Sequence, residues 1–290
     1  MKERTGKAWL ASVLPGSAWE FVFLFVPLLA IAVIGFLTRG EYGGFELPFT
    51  LENYRQLAGF GFFGFEPLYP LILLRSLGLA ASTALLCALA ALPLAFFIAR
   101  LSGRARTLAL MALAIPIWTN LLVRTYAWQL LLGPNGWVTG LAAGLGFIES
   151  GQALHPSTGA VLCGMVCDFL PFAALPLYAS VEKIDRALVE AARDLGASRW
   201  RVFRHAILPQ IKPGLAAGII LVFLPALGQF VVPDLLGGAK TVLLGNALQQ
   251  QFGSSRDWPL GAAVATVSML FVIAGILIFR RFGRDSDLAG

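Results

Sequence analysis

The amino-acid sequence predicts an all-α membrane protein with six transmembrane helices. The 290-residue chain is 58% hydrophobic and only 13% charged, whereas an average soluble domain has roughly 25% charged residues. Six apolar windows are long enough to cross a hydrocarbon core roughly 30 Å thick. They are continuously apolar rather than alternating, which favours helices over a membrane barrel because a helix satisfies its own backbone in lipid. The windows cover residues 17–37, 76–99, 108–131, 158–180, 215–236 and 259–279.

The distribution of basic residues predicts that both termini are cytoplasmic. Sixteen of the 22 Lys and Arg residues fall before the first window, between windows two and three, between windows four and five, or after the sixth. Basic residues accumulate on the cytoplasmic side of a membrane. The net charge of +6 therefore reflects topology and requires no nucleic-acid partner. We expect a tail at 1–16, a six-helix transmembrane domain at 17–280 and a second tail at 281–290.

The sequence contains no recognisable machinery for an enzymatic reaction. It has no GxxxxGK[ST] phosphate-binding loop, no HExxH and no GxSxG. Cys87, Cys163 and Cys167 all fall inside predicted spans, where small packing residues are a better interpretation than metal ligands. We therefore expect neither a metal nor a cofactor in this chain, and energy for any work has to come from a partner.

Prolines and glycines predict how the spans bend and pack. Prolines occur within spans two to five, where each removes a helix hydrogen bond and kinks the helix. Kinked spans favour an irregular bundle around a pathway, although prolines are also commoner in membrane helices generally. Gly214 and Gly218, four residues apart at the start of span five, predict a close approach to another helix.

Polar and aromatic side chains inside the spans are the candidates for a substrate pathway. An ionisable group in lipid is costly and tends to face a cavity or a partner. Asp168 in span four meets this description, and so does Asp234, with Gln229 as a neutral companion, although loop support explains Asp234 equally well. Arg124 in span three suits either a pathway or snorkelling to the headgroups. The aromatic candidates, which suit a cation route or an interfacial belt, are Trp118, Tyr126 and Trp128.

A charged segment at 182–214 interrupts the apolar second half of the chain and carries seven Lys or Arg. Its first part places Leu188, Ala191 and Leu195 on one helical face. Gly196 then stands where a left-handed helix cap is favoured. The segment predicts a short amphipathic helix that ends at this glycine.

A second short helix follows in the same segment. Ser198 can cap it, and Trp200, Phe203 and Ile207 lie on one of its faces. We expect this helix to stop at Pro209. Two amphipathic helices therefore project into the cytoplasm, and their periodicity suits an anionic lipid surface as well as a protein groove.

Glu190-Ala191-Ala192, Gly196 and Leu208-Pro209 resemble the EAA loop of permease subunits of binding-protein-dependent ABC importers. Ala206 departs from that pattern, which usually has Ile there, and Ile207 can take over its packing. The resemblance implies the MetI-like fold of type I importers and a loop that docks into a cleft on a cytoplasmic ATPase. The implied coupling residues are Glu190, Ala191, Ala192, Asp194, Gly196, Ala197, Trp200, Phe203, Leu208 and Pro209.

Further motifs extend the resemblance over most of the chain. FTLENYRQL, LVRTYAW, LPLYASVEKID, PDLLGG and RDWPLGAA are similar to the spermidine/putrescine permease branch, specifically the first of its two unlike permease subunits. This implies a multi-pass protein of the bacterial inner membrane, surrounded by lipid.

The implied partners are a second permease subunit, a homodimeric ATPase that binds ATP and Mg, and an extracytoplasmic solute-binding protein. Related branches import opines, amino acid-like amines, phosphonates or other anions with much the same framework. An ATP-independent channel or a membrane enzyme is the competing class.

Overall fold

The structure is a computed structural model that describes residues 15–61, 64–149, 151–238 and 241–287. The tail predicted at 1–16 lies outside the described residues except for Pro15 and Gly16, which already belong to the first helix. Two compact units are present, one within Met1–Leu71 and Ala247–Phe271, the other within Ile72–Asn246 and Val272–Gly290.

The first helix and two small β-hairpins form the N-terminal part of the first unit. Helix α1 (Pro15–Ile34) contains a π-helical stretch. The buried Asn53 donates from Nδ2 to the carbonyls of Gly35 and Leu37 at 3.0 and 2.8 Å, which ties the end of α1 to a short helix, α2. The elements after α1 are β1 (Leu37–Arg39) paired antiparallel with β2 (Phe45–Phe49), α2 (Glu52–Leu57), and β3 (Phe60–Gly61) paired antiparallel with β4 (Gly64–Phe65).

The rest of the described chain is helical apart from its connections. The membrane spans are therefore helices as predicted, and the short strands are confined to a segment predicted as an external loop. The remaining elements are α3 (Leu68–Arg100), α4 (Gly103–Trp118), α5 (Leu121–Leu131), α6 (Trp137–Gly144), α7 (Thr158–Glu182), α8 (Arg186–Asp194), α9 (Arg199–Leu227), a π-helical turn (Pro233–Gly237), α10 (Leu244–Phe252) and α11 (Trp258–Asp287).

Five helices of the described residues are long and apolar enough to cross a membrane, and a sixth span results if α4 and α5 are counted together. These two helices meet at 96°, so the third predicted window consists of two sharply bent helices rather than one kinked helix, and we call this pair the broken span. Thr119 and Asn120 are extended, and Asn120 caps α5 by accepting a 2.8 Å hydrogen bond from Leu122 N. Pro116 weakens the helix just before this break.

Helix α7 is the central helix of the second unit, with twelve of its 25 residues buried. Cys87 of α3 places its sulfur 3.5 Å from the carbonyl oxygen of Val166 in α7. A Cβ added to Gly164 would lie 2.8 Å from Leu236, so α7 also touches the π-helical turn closely. The absence of a side chain at Gly164 allows this approach.

Helix α9 crosses α7 at the two glycines that the sequence singled out, which confirms the predicted close approach. A Cβ at Gly218 would lie 2.9 Å from the carbonyl oxygen and 3.1 Å from the Cα of Ala173. A Cβ at Gly214 would lie 2.5 Å from the carbonyl oxygen of Pro176 and would overlap Ser180. Backbone-to-backbone contact of this kind leaves no room for any side chain larger than hydrogen.

Two predicted boundaries are wrong. The second amphipathic helix does not stop at Pro209, because a π-helical stretch, Phe203–Ile207, leads into Leu208–Leu227. Pro209 is tolerated there because local π-helical adjustments satisfy the backbone groups that a proline frees. The fifth span ends at Leu227 instead of residue 236.

Gly218→Ala is expected to lower the free energy of unfolding by about 1–3 kcal/mol, because the new methyl group forces α7 and α9 apart. Gly275→Ala is the matched control, because its Cβ would meet nothing within 4 Å and the substitution favours a helix by up to about 1 kcal/mol. Thermal unfolding of the detergent-solubilised chain measures both. An unchanged midpoint for Gly218→Ala would contradict the close packing.

Candidate functional site

The charged segment at 182–214 forms helix α8 and the start of α9, and hydrogen bonds fix the start of α8. Asp185 caps α8 by accepting a 2.9 Å hydrogen bond from Ala187 N. The backbone N–H of Asp185 donates to Oε1 of Gln210 at 2.8 Å, and Nε2 of Gln210 donates to the carbonyl of Ala206 at 2.7 Å. Gln210 therefore links the beginning of α8 to α9.

The exit from α8 has the predicted glycine cap. Gly196 adopts a φ of +76°, a conformation that residues with a Cβ adopt reluctantly. The N–H of Ala197 donates to the carbonyl of Ala192 at 3.1 Å, and that of Gly196 to Arg193 at 2.9 Å. Ser198 caps the next helix through a 3.5 Å hydrogen bond from Arg201 N. The predicted glycine cap between the two amphipathic helices is confirmed.

The charged segment at 182–214 has apolar side chains that the rest of the described chain leaves exposed. Leu188 is 54% exposed, Leu195 88% and Trp200 67%. The ring of Trp200 stacks on Phe203 with their centroids 5.8 Å apart. The other predicted coupling residues are at the surface or partly buried: Glu190, Ala191, Ala192, Asp194, Gly196, Ala197, Leu208 and Pro209. A partner that covers this surface would remove apolar area from water.

Asp168 and Arg124 form a buried ion pair between α7 and the broken span. Arg124 Nε lies 3.2 Å from Asp168 Oδ1, and the two side chains are 22% and 4% exposed. The Nε–H does not point at the carboxylate, so the contact is an electrostatic one. Nη1 of Arg124 also donates to the carbonyl of Pro116 on the other side of the break. Arg124 thus joins both halves of the broken span to α7.

Asp234 and Gln229 lie in the connection that follows α9. Asp234 is exposed, and its Oδ1 accepts a 2.7 Å hydrogen bond from Nδ2 of the buried Asn246. Asn246 also donates to the carbonyl of Phe230 at 3.1 Å. Oε1 of Gln229 accepts from the backbone N–H groups of the next two residues at 3.1 and 3.3 Å. Gln229 therefore supports the break in the backbone, while the second carboxylate oxygen of Asp234 has no hydrogen bond to the described part of the chain.

The structure brings some of the predicted pathway residues near one another and leaves others apart. Gln129 donates to the carbonyl of Leu235 at 3.4 Å, which places α5 beside the turn that holds Asp234. Tyr126 is 52% exposed and Trp128 half-buried on that helix. Trp118 is 90% exposed at the break and joins no cluster. Within the described residues, no group of three or more His, Cys, Asp or Glu side chains could hold a metal ion.

The Arg124–Asp168 pair and Asn246 were not predicted from the sequence. Arg124 and Asp168 are 44 positions apart, and only the packing of α5 against α7 makes them neighbours. The sequence did contain one signal for this pair, a cation in the third span and an anion in the fourth, because ionisable groups inside a membrane tend to pair. Asn246 lies outside the predicted spans and gave no comparable signal.

The fold is that of the membrane component of an ABC transporter. It matches a chain of the bacterial alginate ABC transporter in complex with alginate pentasaccharide-bound periplasmic protein with a TM-score of 0.71 and 16% identity, covering 98% of this chain and 97% of that one. A second structure, of a bacterial ABC transporter involved in the import of alginate, gives a TM-score of 0.69 at 17% identity, with 96% and 98% coverage.

Residues 89–286 match the model of the family described as binding-protein-dependent transport system inner membrane component. The chain belongs to this family, and it is a multi-pass, non-catalytic permease subunit of the inner membrane. It is 41% identical over 92% of its length to the spermidine/putrescine transport system permease protein PotB of Salmonella typhimurium (strain LT2), covering 90% of that protein. For PotB of Escherichia coli (strain K12), identity is 40%, with 92% and 94% coverage.

Arg124→Gln should destabilise the chain by about 3–5 kcal/mol, because the buried Asp168 carboxylate then loses its counter-charge. The double variant Arg124→Gln/Asp168→Asn should recover at least half of that loss, since neither charge remains. Thermal unfolding of the wild type, both single variants and the double variant in one detergent gives the coupling energy. Strictly additive effects would show that the pair contributes no interaction.

Proposed function

We propose that this chain is a permease subunit of an ATP-driven importer for polyamines of the spermidine and putrescine type. The observation that carries the proposal is its similarity, at 41% identity over 92% of the chain, to permeases of spermidine/putrescine transport systems. The chain forms half of the translocation pathway, and a second, unlike permease subunit forms the other half.

The energy for import comes from a homodimeric cytoplasmic ATPase, which binds ATP and Mg. The exposed apolar side chains Leu188, Leu195 and Trp200 support docking of α8 into a groove on this partner. An extracytoplasmic solute-binding protein delivers the solute, as the related fold in complex with a periplasmic protein supports. Lipid surrounds the apolar spans, and neither a cofactor nor a nucleic acid takes part.

A movement of α8 is transmitted to the membrane-spanning helices through hydrogen bonds and close contacts between helices. Gln210 connects the start of α8 to α9, and α9 contacts α7 at Gly214 and Gly218 without intervening side chains. Helix α7 carries Asp168, which holds the broken span through Arg124. ATP binding can shift the populations of the outward-facing and inward-facing states only if the ATPase interacts more favourably with one of them. These contacts transmit the effect of that interaction to the pathway.

The pathway residues differ in their suitability for a polycation. Asp234 is exposed, and among the described residues only Asn246 is hydrogen-bonded to its carboxylate, so it offers a carboxylate to a passing ammonium group. The charge of Asp168 is already balanced by Arg124, so this residue contributes by holding the pathway in shape. Tyr126 and Trp128 offer ring faces to cations. Trp118 lies at the break between α4 and α5, and Gln229 lies in the connection after α9.

Gly196→Val should abolish solute-stimulated ATP hydrolysis in the reconstituted complex while the chain still inserts, because a β-branched residue strains the left-handed cap between α8 and α9. Gly196→Asn is the matched control and should keep most of the stimulation, since asparagine adopts positive φ more readily. ATP turnover with and without the loaded binding protein is the readout. Full stimulation in the valine variant would contradict the assigned coupling role.

Asp234→Asn should reduce spermidine uptake into proteoliposomes several-fold while leaving subunit assembly intact, because it removes a carboxylate from the route of a polycation. Glu66→Gln removes one exposed acid from the external segment of the other unit and serves as control. Radiolabelled uptake is measured with and without ATP. Wild-type uptake by the Asp234 variant would remove this residue from the pathway, and uptake by the wild-type complex without ATP would favour a channel.

A further inference from the structure

A cavity of about 310 Å³ lies beside α8 in the second unit. Its walls come from the last turn of α3, the start of α4, the last residues of α7 and one face of α8. Helices α3 and α7 end there at Arg100 and Glu182, on the side predicted to be cytoplasmic. The cavity therefore lies where the apolar spans give way to the headgroup region, and it is separate from the pathway residues.

One arginine of the cavity, Arg106, uses its guanidinium group for contacts within the fold. Arg106 Nη1 donates to Glu182 Oε1 at 2.7 Å. Its Nε donates to the carbonyl of Leu101 at 2.9 Å and its Nη2 to that of Ala99 at 3.5 Å. These contacts join the end of α3, the start of α4 and the end of α7, so Arg106 builds the cavity wall.

Three further arginines line the cavity: Arg100, Arg186 and Arg193. Within the described part of the chain they form no ion pair, whereas Arg106 does. After the Arg106–Glu182 pair is set aside, Glu190 is the one acid in the lining, which leaves a positive excess of two charges. Guanidinium groups bind phosphate oxygens in a planar, bidentate manner, so the cavity offers unpaired donors to a phosphate group.

The remaining lining is apolar. Phe96, Val181, Ile184 and Val189 stand among the arginines, so the cavity combines a basic rim with a hydrophobic wall. A molecule that carries a phosphate on an apolar body satisfies both. Basic pockets between membrane helices at the cytoplasmic surface suit anionic lipid headgroups in this way, and a free phosphate diester satisfies the basic part alone.

We propose that this cavity is a binding site for a phosphate group, carried either by an anionic phospholipid headgroup or by a free phosphate compound. Arg100 and Arg186 would approach the phosphate from α3 and α8, and Arg193 adds a third cation on the same face of α8, about two turns further along. Because two of these residues belong to α8, occupancy of the cavity bears on this helix. The site does not depend on the identity of the imported solute.

The test is a titration of the delipidated full-length chain in detergent, with bound molecules counted by native mass spectrometry. One arm uses dioleoylphosphatidylglycerol, and the other uses glycerophosphoglycerol, which is the same headgroup without acyl chains. Arg100→Gln/Arg186→Gln should weaken binding about tenfold. Arg104→Gln/Arg204→Gln removes the same charge from exposed residues outside the cavity and should change binding by less than about twofold.

Each outcome bears on the proposal. Binding of the lipid alone supports a headgroup site, and binding of both probes supports a site open to free phosphate compounds as well. If the cavity variant and the control variant lose the same amount of binding, the attraction is a general property of the basic surface and the proposed site is wrong. The proposed site is also wrong if the wild type binds neither probe. If the double glutamine variant does not fold, Arg100→Gln against Arg104→Gln carries the same comparison.

Discussion

The contact between α7 and α9 at Gly214 and Gly218 is the constraint on which the rest of the second unit depends. In lipid the hydrophobic effect does not drive helices together, so close backbone packing has to supply the attraction. At Gly218 a Cβ would meet the backbone of Ala173 at 2.9 Å. The same contact positions α8, because α8 follows α7 closely in the chain and the N–H of Asp185, at the start of α8, is bound to Gln210 of α9.

Polar groups in this unit lie where the helices break. The backbone freed between α4 and α5 is satisfied by Asn120 and Arg124, and the one freed after α9 by Gln229 and Asn246. Broken helices are tolerated at membrane depth only if neighbouring groups complete their hydrogen bonds. The carboxylate of the buried Asp168 is stabilised by a neighbouring group in the same way, because Arg124 supplies its counter-charge. The residues that support the breaks therefore lie beside those that we propose for the pathway.

Local features of the structure could be read from the sequence. Hydropathy located the spans because a bilayer demands about twenty apolar residues, and the glycine cap at Gly196 followed from its place after an amphipathic helix. The close approach at Gly218 followed from its four-residue spacing to Gly214. The EAA resemblance predicted the family, which the comparison with known permeases confirmed.

Features that depend on packing between distant residues could not be predicted in the same way. The 96° break beside Pro116 is stabilised by Asn120 and Arg124, and Arg124 is paired with Asp168 of α7, a contact between distant positions. The continuity of α9 through Pro209 depends on a π-helical stretch that no periodicity indicated. The Arg124–Asp168 pair depends on the register of α5 against α7, which neither span specifies alone.

We propose that α8 and α9 move as one body when the ATPase binds ATP, and the distance between two spin labels tests this. Cysteines introduced at Ala187 on α8 and Leu221 on α9, both exposed, are labelled in a variant that lacks Cys87, Cys163 and Cys167. A label pair spanning the two permease subunits verifies that the complex changes state. If the two helices form one body, the mean Ala187–Leu221 distance is the same with and without ATP. A change of about 5 Å, one helical turn, would show that they move separately.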